Sequence, residues 1–398
     1  MNEPRALTVL QVVPELKAGG AERTTVEIAR AIVEAGGRAL VASEGGRLEL
    51  ELAAAGAELF RLPAKSKNPA VIWANRGRLI DLIRRFDVDI IHARSRAPAW
   101  SALWAARATG ARYVATYHGV YSAKSRLKRF YNSVMARADV VIANSDFTRA
   151  HVASEHGTPP ERLVAIPRGA DLDRFDPAAI TEARLEAARR HWGLKPADNS
   201  KVVLLPGRLT AWKGQREMVE AVRLLVETRR ATGQKTDFLL ILMGDAQGRD
   251  GYAQSLDDAV REAGLSEVAR ICGHYADMPA AYRAAGIVVS ASTRPEAFGR
   301  VAVEAQAMER PVVATDHGGS RETVVDGETG VLVAPGDPQD LARGVLTLLD
   351  MDAADRARMG AAGRRRVEER FSTAAMAAAT LEVYRSATSG PRSPGLKG

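Results

Sequence analysis

The first half of the chain alternates short apolar runs with longer stretches in which apolar residues recur every three to four positions. The first apolar run, Leu7 to Val13, is followed by a glycine turn and a helical pattern that ends at Gly36. Further apolar runs lie near 38–43, 58–62, 89–95, 112–119, 140–145 and 163–169, and further helical patterns near 70–85, 99–108, 124–137 and 147–155. Short buried strands that alternate with helices indicate a doubly wound parallel sheet.

The pattern pauses at residues 170–179, which we interpret as a linker, and then restarts. Strand patterns cover 202–206, 238–245, 269–273, 286–292, 311–315 and 330–334. We therefore predict an α/β protein of two successive Rossmann-like domains. The predicted bounds are 1–172 and 173–371, with a C-terminal helix at 372–388 and a disordered tail at 389–398. Such sheets bind ligands at the carboxyl ends of their strands, and two that face each other would enclose one ligand in a cleft.

Composition agrees with a soluble globular protein. The 398 residues are 46% hydrophobic and 26% charged, which is ordinary for this class. The single cysteine, Cys272, excludes an intrachain disulfide and a cysteine-rich metal site. We find neither a signal-peptide pattern nor an apolar run of 18 residues, and we expect a cytoplasmic protein.

The charge is uneven along the chain. Residues 1–175 hold 26 Lys and Arg against 18 Asp and Glu, whereas the remainder holds 30 of each, so the net charge of +8 lies in the first half. A basic half can face nucleic acid, an anionic membrane or an anionic substrate. Because no nucleic-acid-binding motif is present, nucleic acid is the weakest of these alternatives.

The most informative stretch is Arg294 to Glu322, a predicted loop, helix, strand and glycine turn. Its carboxylates Glu296 and Glu304 would lie about 12 Å apart if the segment were fully helical. That exceeds the separation at which two carboxylates hydrolyse one glycosidic bond. It suits a ligand that lies along the helix start, with an anionic centre near the backbone amides. The alternative is a surface helix with two solvated glutamates.

Other polar residues follow predicted strands. Arg208 and Lys213 flank a glycine-containing loop and could bind a diphosphate, or they could be a solvated pair. His118 ends a strand in the sequence TYHG, and we predict a functional role for it. We interpret the other histidines outside the Gly273-His274 segment as structural: His92, His151, His156, His191 and His317.

Several common motifs are absent from the sequence. The turn Gly19-Gly20 stands in KAGGAER, which is not the G-x-G-x-x-G fingerprint of nicotinamide and flavin enzymes. There is no P-loop, no G-x-S-x-G nucleophile turn and no convincing metal-ligand spacing. These absences count against a dehydrogenase, a P-loop phosphotransferase and an esterase.

Seven short motifs in a fixed order carry a family resemblance. They are KAGGAER, TYHG, VIANS, AIPRGADLDRF, LLPGRLTAWKG, LMGD and the two glutamates in E-x7-E, followed by GGSRETVVDGETGVLVAPGD. Over nearly its whole length the chain resembles a retaining glycosyltransferase of the GT-B fold, in the large family four. The resemblance implies two Rossmann-like domains that face each other across a cleft, and a final helix that returns to the first domain.

The resemblance also implies roles for individual residues. Arg208 and Lys213 should hold the donor diphosphate, Glu296 the sugar hydroxyls and Glu304 the ribose hydroxyls. Further donor contacts are expected at Gly20, Gly273, His274, Phe298, Gly299 and Arg300. The catalytic residues are expected to be His118, which should lie beside the reacting sugar or acceptor, together with Glu296, Arg208 and Lys213. No metal and no cofactor are expected, because the cationic pair and a helix dipole would stabilise the leaving nucleotide.

The expected reaction moves a sugar from a nucleotide-sugar, UDP-linked before GDP-linked, to an acceptor hydroxyl with retention of configuration. The acceptor is expected to be lipid-linked or of the lipopolysaccharide type. The alternatives are the same fold with a soluble small-molecule acceptor, and a non-catalytic nucleotide-sugar-binding protein.

Two further hypotheses come from basic residues. Arg300 stands where the family often has an apolar residue; its side chain either points to solvent or binds an acidic group on a substrate. Four basic residues surround Leu127 and Phe130, in a segment that resembles those that lie on anionic membranes: Lys124, Arg126, Lys128 and Arg129. The alternative is a solvated helix face.

Overall fold

The computed structural model describes residues 6–17, 19–121, 125–195, 198, 200–246, 248 and 250–389. The chain divides into two compact units, residues 1–168 with 373–398, and residues 169–372. We refer to them as unit 1 and unit 2.

Unit 1 contains a parallel sheet of seven strands in the order β3-β2-β1-β4-β5-β6-β7. The strands are β1 (Thr8–Val12), β2 (Arg38–Ser43), β3 (Glu58–Arg61), β4 (Ile90–Ala93), β5 (Arg112–Tyr117), β6 (Val140–Ala143) and β7 (Leu163–Ala165). The helices between them are α1 (Gly20–Glu34), α2 (Glu49–Ala54), α3 (Pro69–Arg85), α4 (Arg96–Thr109), α5 (Arg126–Asn132) and α6 (Asp146–His156). The strand order reverses between β1 and β4, which is where such sheets bind ligands.

Unit 2 contains a parallel sheet of six strands in the order β10-β9-β8-β11-β12-β13. The strands are β8 (Lys201–Pro206), β9 (Phe238–Met243), β10 (Ala269–Cys272), β11 (Ile287–Ser290), β12 (Val312–Thr315) and β13 (Gly330–Val333). The helices are α7 (Glu182–His191), α8 (Gln215–Ala231), α9 (Asp250–Glu262), α10 (Met278–Ala284), α11 (Arg300–Ala307), α12 (Ser320–Thr323), α13 (Pro338–Asp350) and α14 (Ala353–Arg370). Here the order reverses between β8 and β11.

The last helix, α15 (Thr373–Ser389), packs on unit 1. Its residues Met376, Val383 and Tyr384 join the apolar cluster that covers one face of the unit 1 sheet. The tail beyond Ser389 lies outside the described residues.

The two-sheet α/β architecture predicted from the alternating pattern is confirmed. Two details of the prediction were wrong. The basic helix expected at 124–137 is shorter: α5 ends at Asn132, and a separate turn of 3-10 helix covers Met135–Arg137. Several helices of unit 2 were not predicted, among them α9 and α13.

Candidate active site

A loop after β8 places Lys213 at the carboxyl edge of the unit 2 sheet. A turn of 3-10 helix ends at Lys213, and Gly214 follows with a φ of 77°. A Cβ atom at Gly214 would lie 1.8 Å from the carbonyl oxygen of Ala291, so only glycine allows this close approach to the end of β11. The Thr293 amide also donates to the Trp212 carbonyl at 2.8 Å. The two loops are therefore fixed against each other.

Lys213 forms an ion pair with Glu296, whose Oε1 also accepts a 2.6 Å hydrogen bond from Ser292 Oγ. The Lys213 ammonium lies 4.5 Å from the centre of the Trp212 ring, a favourable cation–π distance. Only 15% and 16% of the Lys213 and Glu296 side chains are exposed. Since β8 and β11 flank the reversal in strand order, this pair lies where a parallel sheet binds ligands.

Arg208, the other predicted diphosphate ligand, follows the same strand but is exposed. Its carbonyl accepts a 2.9 Å hydrogen bond from Gln215 Nε2. With the residues that the structure describes, its guanidinium makes no hydrogen bond or ion pair. Arg208 thus presents a solvated cation close in sequence to Lys213, without a fixed geometry.

Helix α11 begins at Arg300, so Glu296 lies in the loop before it. The predicted order of a loop followed by a helix is confirmed, and the fully helical condition behind the separation of about 12 Å is not met. Gly299 precedes the helix with a φ of 90°, and Phe298 is buried against Phe371, with ring centres 5.7 Å apart. This anchor orients the first amides of α11, the groups expected to meet an anion.

The glycine turn after β12 lies directly on this loop. The Gly319 amide donates to the Glu296 carbonyl at 2.8 Å. A Cβ atom at Gly319 would lie 2.5 Å from the Phe298 Cα, so a side chain there would push the two segments apart. The glycine supports the backbone that carries Glu296.

Glu304 accepts hydrogen bonds from two side chains. Arg300 donates to its Oε1 from Nη2 at 2.9 Å and from Nε at 3.2 Å. The Tyr282 hydroxyl donates to Oε2 at 3.0 Å. Arg300 was expected either to point to solvent or to bind an acidic substrate group. In the structure its guanidinium is held by Glu304, and the acidic-substrate hypothesis stays a prediction.

The remaining predicted donor residues are Gly273, His274 and Gly20. Gly273 and His274 follow β10 and are exposed. Gly20 is the first residue of α1. The Glu22 side chain lies against the preceding Gly19, since a Cβ atom there would lie 2.2 Å from its Oε2. A carboxylate at a helix start is favourable in itself, and a phosphate contact for Gly20 stays a prediction.

His118 follows β5 at the carboxyl edge of the unit 1 sheet, and Arg168 Nη2 lies 2.9 Å from its Nδ1. A guanidinium only donates hydrogen bonds, so Nδ1 accepts and the ring proton is on Nε2. Burial, followed by the charges of Arg168 and Arg94, holds the pKa of His118 well below its usual range. His118 is therefore a neutral N–H donor, not a base.

Two side chains at this edge have buried polar atoms that lack partners within the described part of the chain. One is His118, through Nε2, and the other is Asn144, through both atoms of its amide. Asn144 follows β6, next to β5, and its backbone amide donates to the Tyr117 carbonyl at 3.3 Å. Unsatisfied buried polar atoms cost free energy, so they mark the edge as a candidate site for a hydroxylated ligand.

A buried network connects α15 to the same sheet. His92, interpreted from the sequence as structural, is fully buried. Its Nδ1 lies 2.6 Å from the Tyr384 hydroxyl and its Nε2 lies 2.7 Å from Thr116 Oγ1. Beside it, the buried Arg94 donates from Nη2 to Gln11 Oε1 at 2.6 Å. Burial and the charge of Arg94 also hold the pKa of His92 well below its usual range.

A basic cavity of about 520 Å³ opens among the loops after β4 and β5. Its polar lining comprises Lys67, Ser95, Arg96, Tyr121, Lys128, Tyr131 and Asn132. The Arg96 guanidinium lies 3.9 Å from the Tyr121 ring centre and donates to Asn132 Oδ1 at 2.8 Å. The sequence analysis missed this cavity as a site, although the excess of basic residues in the first half was its signal.

Helix α5 carries three of the four basic residues predicted to face a membrane, whereas Lys124 lies outside the described residues. Arg129 pairs with Glu155 at 2.9 Å, and Lys128 lines the basic cavity. Leu127 and Phe130 are 79% and 52% exposed. Over the described ranges, no helix is long and apolar enough to cross a bilayer.

Within the described residues, no three His, Cys, Asp or Glu side chains are grouped so that they could hold a metal ion.

Comparison with known proteins decides the family. The sequence model of Glycosyltransferase Family 4 matches residues 18–174, and that of glycosyl transferases group 1 matches residues 188–366. A crystal structure of a glycosyltransferase from Rickettsia africae is 33% identical and superimposes with a TM-score of 0.88, over 98% of this chain and 100% of that one. The chain belongs to glycosyltransferase family four and has the GT-B fold.

Two further proteins are similar to the chain. The Anabaena protein HepE, solved with UDP-glucose, is 25% identical with a TM-score of 0.80, over 96% of this chain and 100% of that one. A D-inositol 3-phosphate glycosyltransferase from Kineococcus radiotolerans is 37% identical over 268 residues, which are 64% of this chain and 58% of the relative. The chain thus spans less than two thirds of the length of this curated relative.

Proposed function

We propose that this glycosyltransferase transfers a sugar, with retention of configuration, from a nucleotide-sugar to a hydroxyl of a small anionic acceptor. The proposed donor site is supported by the Lys213–Glu296 pair, which lies where the strand order of unit 2 reverses. The proposed acceptor site is supported by the basic cavity of unit 1.

In the donor site, Lys213 and the first amides of α11 would bind the diphosphate. The diphosphate would displace Lys213 from Glu296, and the freed carboxylate would accept hydrogen bonds from sugar hydroxyls. Arg208 would close on the outer phosphate, since its exposed guanidinium can form a bidentate contact. Glu304, further along α11, would hold the ribose hydroxyls. A UDP-linked donor is favoured over a GDP-linked one, in line with HepE.

The proposed reaction needs no protein nucleophile. The bond between the anomeric carbon and the phosphate oxygen breaks, and the acceptor oxygen bonds to that carbon from the same face. The acceptor proton passes to the leaving phosphate oxygen. The charge that develops on this phosphate is stabilised by Lys213 and the helix amides, which makes a metal ion unnecessary. His118, as an Nε2–H donor, and Asn144 would bind hydroxyls of the sugar or the acceptor.

The acceptor proposal differs from the expectation of a lipid-linked acceptor. Lys67, Arg96 and Lys128 suit a phosphate, and the tyrosine and asparagine side chains of the cavity suit a polyol. Several relatives carry the name D-inositol 3-phosphate glycosyltransferase, an activity with a soluble, phosphorylated acceptor. These two points favour the soluble-acceptor alternative.

The test is a transfer assay with UDP-glucose and UDP-N-acetylglucosamine as donors. The acceptors are inositol 3-phosphate and unphosphorylated inositol. We expect product with the phosphorylated acceptor and a loss of about 100-fold in kcat/KM for the Lys67→Ala/Lys128→Ala variant. The control is Lys235→Ala, an exposed lysine just before β9 in unit 2. Equal use of both acceptors would contradict the phosphate assignment.

A lipid-linked acceptor is the second candidate, and one observation favours it. Leu127, Phe130 and Trp73 are 79%, 52% and 60% exposed, and they belong to the same basic unit. Apolar side chains among cations are typical of surfaces that lie on anionic lipid, so the protein would act at the inner face of the cytoplasmic membrane. Sedimentation with phosphatidylglycerol vesicles tests this: salt-sensitive binding that a Leu127→Ser/Phe130→Ser variant loses would support it, and no binding would exclude it.

A further inference from the structure

We infer that Tyr282 is the positioning residue for the nucleotide ribose and acts through Glu304. Tyr282 lies on α10 and is fully buried, with its ring 6.3 Å from that of Phe175. Its hydroxyl donates to Glu304 Oε2 at 3.0 Å. Tyr282 itself would touch no substrate; it would fix the carboxylate that does.

The contacts of Glu304 show why the two partners differ in role. An ionised carboxylate has about four acceptor positions, two on each oxygen. Arg300 donates twice to Oε1 and Tyr282 donates once to Oε2. None of the other described residues donates to Oε2, so one acceptor position on this oxygen remains open. A ribose presents two neighbouring hydroxyls, so holding both requires a partner of Glu304 to leave.

Arg300 is the partner that can leave. Its side chain is 36% exposed and carries a flexible stem, whereas the Tyr282 ring is fixed in the core of unit 2. Burial and the neighbouring charge of Glu304 also raise the pKa of Tyr282 well above its usual range. The phenol therefore stays protonated and remains a donor. Arg300 occupies the ribose position in the free protein, and Tyr282 holds Glu304 in place when ribose displaces Arg300.

This inference rests on the proposed function, and its test separates the two. Binding of UDP and of 2′-deoxy-UDP is measured by calorimetry on the full chain. The wild-type protein should bind UDP about tenfold more tightly, because 2′-deoxy-UDP lacks one hydrogen bond to a charged group. In Tyr282→Phe this preference should fall to about twofold or less. In Tyr113→Phe, which removes a buried hydroxyl in unit 1, it should stay unchanged.

If Tyr282 had only a structural role, Tyr282→Phe would weaken the binding of both nucleotides equally and leave the preference for UDP intact. That result would overturn the inference but not the proposed function. No binding of UDP by the wild-type protein would overturn the proposed donor together with the inference. Arg300→Gln provides a second test, which remains valid even if Tyr282→Phe is unstable. We expect it to keep the full preference for UDP, and a lost preference in this variant would reverse the assigned roles.

Discussion

Arg168 donates to Nδ1 of His118 across 2.9 Å, although the two residues are 50 positions apart in the chain. This contact fixes the tautomer of a histidine whose neutral form is favoured by burial and by two nearby cations. It turns a residue that could have been a base into a hydrogen-bond donor at the edge of the unit 1 sheet.

Replacing Arg168 with methionine should therefore change the pH dependence of turnover. With one cation removed, the pKa of His118 rises toward its usual value of about 6.5. We expect kcat/KM to fall about tenfold at pH 8, where the neutral ring can now carry its proton on Nδ1, and to fall less at pH 6, where the imidazolium donates from both nitrogens; the wild-type profile should stay flat over this range. The control is Arg162→Met. Arg162 lies just before β7, and its guanidinium donates to the Ala138 carbonyl. A variant profile parallel to that of the wild type would contradict the tautomer assignment.

Removing Lys213 should affect both donor binding and stability. Lys213→Ala takes the cation from the diphosphate site and leaves Glu296 unpaired in a largely buried position. We expect the Kd for the nucleotide-sugar to rise about 100-fold, and the variant to lose roughly 3 kcal/mol of unfolding free energy.

A double variant separates these two effects. Lys213→Ala/Glu296→Gln should recover part of the stability, because no unpaired charge remains, but none of the affinity. Urea unfolding and calorimetry measure the two quantities. If the double variant is less stable than Lys213→Ala, the ion pair is not what the single change disrupts.

Two histidines, His92 and His118, predict acid sensitivity. His92 and His118 have folded-state pKa values far below the unfolded value, so the unfolded chain binds protons that the folded chain does not. The free energy of unfolding should thus decline as the pH falls below about 6.5, by about 1.4 kcal/mol per pH unit for each histidine. Urea unfolding at pH 7.5 and 5.5 measures this.

Replacing His92 identifies its share of the acid sensitivity. His92→Asn cannot take up the proton, so it should show a shallower decline than the wild-type protein, whatever its stability at pH 7.5. An unchanged slope would show that His92 is not one of the groups that become protonated on unfolding.

The proposed mechanism also predicts that transfer is independent of divalent metal. Activity after treatment with EDTA should stay within about twofold of the untreated value, because Lys213 and the helix amides stabilise the leaving phosphate. Activity that EDTA abolishes and Mg²⁺ or Mn²⁺ restores would contradict this assignment.

The sequence predicted the parts of the site that the strand pattern determines. In a parallel sheet the residues after each strand meet at one edge, so Lys213, Glu296 and His118 could be chosen from position alone. Their partners could not be predicted, because Arg168 lies 50 positions from His118 and the bond from Ser292 to Glu296 depends on the shape of the loop after β11.

Longer-range contacts escaped the sequence analysis for the same reason. The bond between His92 and Tyr384 joins residues 292 positions apart. The basic cavity combines side chains from α4, α5 and the loops that precede α3 and follow β4 and β5. Arg300 was predicted either to point to solvent or to bind an acidic substrate group, and its contact with Glu304 was not foreseen, because the four-residue spacing gained meaning only when the start of α11 was known.

The most direct test of donor use is the release of free nucleotide from UDP-, GDP- and ADP-sugars, measured for the wild-type protein and for Lys213→Ala. We expect the wild-type protein to release nucleotide from at least one sugar-nucleotide, fastest in the UDP series, and the variant to release it about 100-fold more slowly. Binding without release would favour a non-catalytic protein. If the wild-type protein neither binds any of these donors nor releases nucleotide from them, the proposed function is contradicted.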